Sequence, residues 1–365
     1  MRSTTTRRGS ASLTDGALGL TLALAFWPAF LSAPLAPRWS LMAVAVPILL
    51  CRVPHLWVPW LSAKLAGFLL YALASLAWAP VWRIGLWPVS HLAIFCGLAI
   101  YAAQCDTDDL LKGLAAGIVA QCPLVILQSL GYSPLVMQAA VPAGLFVNRN
   151  FLGEAAMPLI GYGAIKRWPY WLLLPLVFEA IMAADRAAIV GSAAALWLRS
   201  GPRIRLASAA TGMIGLVALT LYSPWGIDSM SARLTLLGMI LPGMSTFGAG
   251  AGATTIALYP VAESIHCDAL QLLYEFGIGA VPLFWIIGNA FDASRRDADR
   301  AALACLVAES LFSLPLEIPT TLFLAALLVG RLHRARAVLC DHGYTRGVEH
   351  SFSRGWPAPK PRRAY

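Results

Sequence analysis

Charged residues are scarce in this sequence: they make up 12% of 365 residues, while 59% are hydrophobic. Soluble domains carry roughly 25% charged residues. A water-facing surface cannot be assembled from half that amount around so much apolar side chain, so a soluble globular fold is excluded and lipid must solvate most of the chain. Paired cysteines are lacking too. The seven cysteines form no C-x-x-C and no Cys/His ligand spacing, which excludes a disulfide framework and a zinc site. Strand signals are missing before the glycine-rich stretch Phe247–Gly252, so it is no nucleotide-binding turn of a βαβ unit; its expected use is close backbone approach in a tight turn. The net charge of +9 does not point to nucleic acid. Its basic residues lie between apolar runs and in the C-terminal tail, where they report orientation in a membrane.

What the sequence does have is apolar runs, at 16–33, 38–51, 62–79, 85–104, 109–131, 151–165, 168–184, 187–199, 204–221, 269–290, 300–315 and 317–335. A spanning helix takes roughly 20 residues, so the expectation is an all-α polytopic bundle of about twelve transmembrane helices. Runs 38–51, 151–165 and 187–199 are short, and tilted, thinned or re-entrant placements stay open for them. Trp39, Trp57, Trp60, Trp78, Trp82, Trp168 and Trp225 sit at run ends, as interfacial anchors do. The first run, behind Arg2, Arg7 and Arg8, reads as an uncleaved span. The transmembrane domain is expected over 1–336, followed by a basic, polar tail, 337–365, on the cytoplasmic side. That tail has the composition of a disordered segment and suits contact with anionic membrane lipids.

With an N-in, C-in chain that changes side at each run, 22 of the 27 Lys and Arg residues fall on the cytoplasmic side. Only Arg38, Arg83, Arg149, Arg186 and Arg233 do not. Adding or removing one span would invert the rest and spoil the asymmetry. Two long outer segments result, 132–150 and 222–268, and function is expected there.

Three of the outer arginines stand in unusual surroundings. Arg149 lies between Asn148 and Asn150, Arg186 follows Asp185 at the junction of two runs, and Arg233 opens an apolar stretch of the long outer loop. Snorkelling or local ion pairing accounts for any one of them. A group of guanidinium forks at the headgroup level also suits a diphosphate, and would stabilise one as a leaving group. His266 stands just before the tenth run, with Glu263 and Asp268 placed to orient it. A histidine there can take a proton from a hydroxyl at neutral pH, although a lone loop histidine more often has no role. Asp106-Thr107-Asp108-Asp109 contains a D-x-D, but it starts a span on the inner side and reads as a helix cap. With no outer carboxylate cluster, the reaction expected is metal-independent and without a cofactor. Glu179, Glu309 and Glu317 lie in or beside spans, where carboxylates draw attention, and Glu317 is placed near the outer face. A proton-coupled transporter would use such residues as well, but no internal repeat is detectable.

Taken in order, the segments resemble the O-antigen ligase and polymerase superfamily of bacterial membrane glycosyltransferases. The segments are SLAWAPVWRIGLW (75–87), GLFVNRNFLGEAAMPL (144–159), ADRAAIVG (184–191), RLTLLGMILPGMSTFGAGAG (233–252), HCDALQLLYEFGIGAVPL (266–283) and SLPLEIP (313–319). The resemblance implies a GT-C-type fold in the bacterial inner membrane with an active site facing the periplasm. It implies glycan transfer from undecaprenyl diphosphate to an acceptor hydroxyl, of a growing glycan or of lipid A-core, in lipopolysaccharide or exopolysaccharide biosynthesis. By motif position it makes Arg186 and Arg233 diphosphate ligands and His266 the general base. Arg149 is a weaker diphosphate candidate. Asn148, Asn150, Glu263, Asp268, Glu317, Gly248 and Gly250 are supporting residues. Cys267 stands where the family has asparagine, Leu236 and Leu237 where a tryptophan is usual, and loop 222–268 is short. Ligase, polymerase and protein O-glycosylation therefore stay open, beside the alternative of a non-catalytic transporter of polysaccharide or lipid-linked glycan.

The charge distribution makes one direct prediction. Reporter fusions at residue 340 should be active only for a cytoplasmic reporter, and fusions within 222–232 only for a periplasmic one. The reverse pattern at either point would remove the N-in, C-in assignment.

Overall fold

The computed structural model of the chain describes residues 8–25, 36–53, 58, 61–135, 141–146, 148–183, 190–193, 226–262, 267–292, 297–311, 313 and 315–334. These form an all-helical bundle. Its helices are α1 (Arg8–Leu24), α2 (Ala36–Leu50), α3 (Leu61–Ser75), α4 (Trp82–Gln104), α5 (Asp108–Val119), α6 (Cys122–Ser129), α7 (Arg149–Ile165) and α8 (Tyr170–Ala183). They continue with α9 (Gly226–Ile240), α10 (Ala253–Leu258), α11 (Asp268–Phe276), α12 (Val281–Asp292), α13 (Asp297–Glu309) and α14 (319–334). The expected runs 187–199 and 204–221 lie outside the described residues, apart from a helical turn at 190–193.

Among the described residues, three stretches are long and apolar enough to cross a membrane: Trp82–Gln104, Asp108–Ser129 and Asp268–Phe291. Each matches an expected run. Leu13–Leu24, Ala36–Leu50, Leu61–Ser75 and Tyr170–Ala183 are apolar but shorter. A 15-residue helix rises only about 22 Å, against a hydrocarbon core of about 30 Å. Prolines inside several helices contribute to the broken appearance, at Pro47, Pro88, Pro158 and Pro175, because each removes an amide donor from the helical ladder.

The last helix is the centre of the bundle. Every residue from 318 to 332 is buried, as expected of a helix apolar on all sides. Pro319 opens it, at the one turn where a missing amide costs nothing. Small residues let neighbours come close: a Cβ on Gly330 would stand 2.2 Å from the Ala99 carbonyl oxygen of α4. The pairing of α1 with α5 uses the same device through Gly113-x-x-x-Gly117. Added Cβ atoms would meet the Gly16 and Leu20 carbonyl oxygens at 2.0 and 2.7 Å. Lipid offers no hydrophobic drive for helix association, so such close backbone packing supplies it.

Two buried arginines fasten α14 at its two ends. Arg331, 4% exposed, donates Nε to Asp299 at 2.8 Å, Nη1 to Thr107 at 3.1 Å and Nη2 to Tyr162 at 2.9 Å, and pairs with Asp108 at 2.6 Å. The Tyr162 hydroxyl in turn donates to Asp108 at 2.7 Å. The end of α14 is thus tied to the starts of α5 and α13 and the end of α7. At the opposite end Arg38, fully buried, donates to the Ala23, Ala25 and Leu145 carbonyls at 2.7–3.1 Å and to Thr320 at 3.4 Å. Its guanidinium lies over the Phe146 ring. Arg38, one of the five exceptions to the charge asymmetry, is therefore satisfied by the carbonyls that follow α1.

Removing one partner of a buried ion network leaves the others uncompensated, at a cost of about 3–5 kcal/mol. Arg331→Ala should lower the thermal unfolding midpoint of the detergent-purified protein sharply, and Arg331→Lys, which keeps the charge but loses the fork, should fall between. A midpoint unchanged in both variants would mean that this network does not hold the bundle.

Candidate functional site

The site is built around the loop that joins α9 to α10. It needs glycine three times: Gly248, Gly250 and Gly252 have φ of 76°, 96° and 72°, a region other residues enter at a cost. The loop backbone presses against α11 and the α3–α4 turn. A Cβ on Gly248 would sit 2.3 Å from the Glu275 carbonyl oxygen, and one on Gly250 2.6 Å from Ala79 Cα. The amides of Ala249 and Gly250 donate to the Tyr274 and Glu275 carbonyls, at 2.8 and 3.0 Å, and that of Ala251 to Ser75 Oγ, at 3.2 Å. With those donors committed, the loop does not cradle a phosphate. It is the tight, close-approach turn that the glycine spacing foretold, and Gly248 and Gly250 act on the site by shaping its wall.

On one side of this loop lies a cavity of about 400 Å³. Asp268, Gln271 and Glu275 of α11 line it, with Glu317, His91 and Trp87 among the opposing residues and Gly252 at the edge. Asp268 accepts the Leu316 amide at 2.8 Å, and Gln271 donates Nε2 to Glu317. Those two bonds hold the segment before α14 against α11. Glu275, 1% exposed, accepts the Thr254 amide at 3.4 Å. His91 is stacked on Trp39, with ring centroids 3.4 Å apart, and lies edge-on to Trp87 at 4.6 Å.

A second cavity, of about 500 Å³, lies along α9. It is lined by Asn150, Arg233, Thr235, Val261 and Ala262, among others. Asn150 and Arg233, expected site residues 83 positions apart, face the same space. A small core of Leu236, Ile240, Ala253, Leu258, Cys267 and Tyr274 packs α9, α10 and α11 together behind these walls. Burial raises the Cys267 thiol above its ordinary pKa, and the Arg233 charge is close enough to oppose that rise.

The expected residues therefore separate into groups. Arg233 and Asn150 share one cavity, while Asp268 and Glu317 share the other. Asn148 is the N-cap of α7, its side chain accepting the Asn150 amide at 3.1 Å, so it orients Asn150 as a capping residue does. Arg149, the first residue of α7, lines neither cavity. Arg186, Glu263 and His266 lie outside the described residues. Glu263 and His266 belong to the four residues that connect Ala262, on the arginine cavity, with Cys267. His91 was missed by the sequence reading because a single histidine in an apolar run has no local signal. Gln271 and Glu275 were quoted in a motif without a role, and their spacing of three and four residues from Asp268 and Gln271 is the one signal that puts them on a common face.

No protein-family model matches the chain, and no curated protein matches it.

Gly250 provides a test of the wall's construction. Gly250→Ala combines a left-handed φ with a clash against Ala79, and should destabilise by more than about 1 kcal/mol. Gly238→Ala, where an added Cβ meets nothing within 4 Å, should be neutral or stabilising by up to about 1 kcal/mol. Equal unfolding midpoints for the two variants would contradict the tight turn described above.

Proposed function

We propose that the chain is a GT-C-type membrane glycosyltransferase of about twelve spans, N-in and C-in, in the bacterial inner membrane. It transfers or polymerises a glycan from undecaprenyl diphosphate onto an acceptor hydroxyl at the periplasmic face. The observation that carries this reading is the presence of Arg233 and Asn150 in the wall of one cavity, whose wall also includes Ala262, four positions before His266. Arg331 and Arg38 support the orientation, since their networks gather opposite sets of helix ends, matching the two sides that the charge distribution assigns.

In the reaction proposed, the acceptor hydroxyl enters beside His266, which takes its proton as the oxygen attacks the anomeric carbon. The bond from that carbon to the diphosphate oxygen breaks on the opposite side, so the configuration inverts. Arg186 and Arg233 hold the departing lipid diphosphate as its charge develops. Arginine suits this task because its fork binds two oxygens and stays charged at any working pH. Asn150, on the same wall as Arg233, supplies an uncharged donor and acceptor beside the diphosphate.

The test is glycan transfer by purified protein supplied with lipid-linked donor and acceptor. Loss of a general base costs roughly 10²–10⁴ in rate, and loss of one charge-stabilising donor roughly 10²–10³. His266→Ala and Arg186→Ala should therefore abolish measurable product, while Arg233→Lys should retain part of what Arg233→Ala loses. Transfer at the wild-type rate in both His266→Ala and Arg186→Ala would remove these residues from the chemistry, and no transfer by the wild type would sink the catalytic reading and leave a transporter.

A further inference from the structure

The two cavities have opposite chemistry. Among the described residues the wall of the arginine cavity has no Asp or Glu. Among them too, the cavity on α11 has three acidic side chains, Asp268, Glu275 and Glu317, and neither Lys nor Arg. A diphosphate finds a cation in the first and none in the second. His91 and Gln271 both line the second cavity, and each holds a buried polar atom without a partner, Nε2 of His91 and Oε1 of Gln271. Such atoms are costly, and a side-chain rotation toward the cavity lets a ligand hydroxyl meet them.

The wall is thus rich in acceptors, with one aromatic face. Trp87 is 53% exposed and held edge-on by Trp39 and His91. Carboxylate and amide oxygens take hydroxyl donors, while the indole can cover the apolar face of a sugar ring. Among the described residues no three His, Cys, Asp or Glu side chains gather closely enough to hold one metal ion, which disfavours a divalent cation as the occupant. A volume of about 400 Å³ is at the lower end for ligand pockets, which run to about 1,000 Å³. It suits a short sugar unit and not a polyprenyl chain.

From these features we infer that the α11 cavity is a sugar subsite for a residue carrying no negative charge, with Trp87 as its platform and Gln271, Glu275, Glu317 and His91 as its hydrogen-bonding wall. The assignment rests on the glycosyltransferase reading for its place in a reaction, as the subsite of the sugar next to the reacting hydroxyl, but not for the binding itself. It makes the site selective: a uronic acid or a phosphorylated sugar in this position finds only acidic side chains and no described Lys or Arg to pair with.

The experiment is saturation-transfer NMR and tryptophan fluorescence titration of the full chain in lipid nanodiscs, without donor lipid. The probes are methyl glucoside, glucosamine, glucuronate and ethanolamine. Methyl glucoside and glucosamine should bind, and glucuronate should bind at least about tenfold more weakly, the equivalent of one charge-assisted contact. Trp87→Ala and Gln271→Ala should weaken methyl glucoside binding by a similar factor. Glu317→Gln should narrow the gap between methyl glucoside and glucuronate, an effect that a merely structural role would not produce. The wild-type comparison keeps the inference testable if a variant misfolds.

Glucuronate binding as tight as methyl glucoside overturns the inference, as does saturable binding by none of the sugars. Ethanolamine binding as well as glucosamine while methyl glucoside stays silent overturns it in favour of a simple ammonium site. Selective sugar binding by a wild type that transfers nothing removes the catalytic reading and keeps the subsite. Transfer that depends on His266, with no sugar binding, removes only the subsite.

Discussion

A guanidinium inside an apolar bundle has to find acceptors within the protein, and Arg331 finds them on three other segments of the chain. Asp299, Thr107, Asp108 and Tyr162 surround it, so one end each of α5, α7, α13 and α14 is drawn to a single point. Arg38 does the same at the other end of α14 through Thr320 and the carbonyls of Ala23, Ala25 and Leu145. Pinned at both ends, the central helix has a set depth and rotation. The residues just before it, Leu316 and Glu317, are then presented to Asp268 and Gln271. The cavity wall is a consequence of that fastening.

A second constraint is the glycine loop. Its amides are used up against α11 and Ser75, and its lack of side chains lets α11 lie against the turn between α3 and α4. The loop is therefore a packing surface of minimal thickness, and its Gly252 forms one edge of the α11 cavity.

Several features were legible because their cause is local. The glycine spacing announced a close-approach turn, and the turn has that form. Asp106-Thr107-Asp108 read as a helix start, and Asp106 accepts the Asp108 amide at 3.1 Å. Its pairing with Arg331 was not legible, since the partners are more than two hundred residues apart and neither has a neighbour that announces the other. Arg38 looked like one of five misplaced cations until its carbonyl acceptors were seen. The short runs were recognised as short, but not that one of the three long apolar stretches among the described residues would continue through the 3₁₀ turn Gly277–Ala280.

Composition and periodicity by themselves indicated that the chain is all-helical with apolar helices compatible with a membrane, because a low charge content and long apolar runs favour lipid as its solvent. Position relative to the apolar runs singled out Arg233, Asp268 and Glu317, and the family resemblance added Asn150. The tertiary structure alone decided how these divide between two cavities, that His91 and Gln271 line one of them, and that the glycines shape a wall instead of holding an anion. The reason is physical. Solvation preference and helix periodicity act residue by residue along the chain, whereas which acceptor a buried donor finds depends on the one arrangement of helices that satisfies all of them at once.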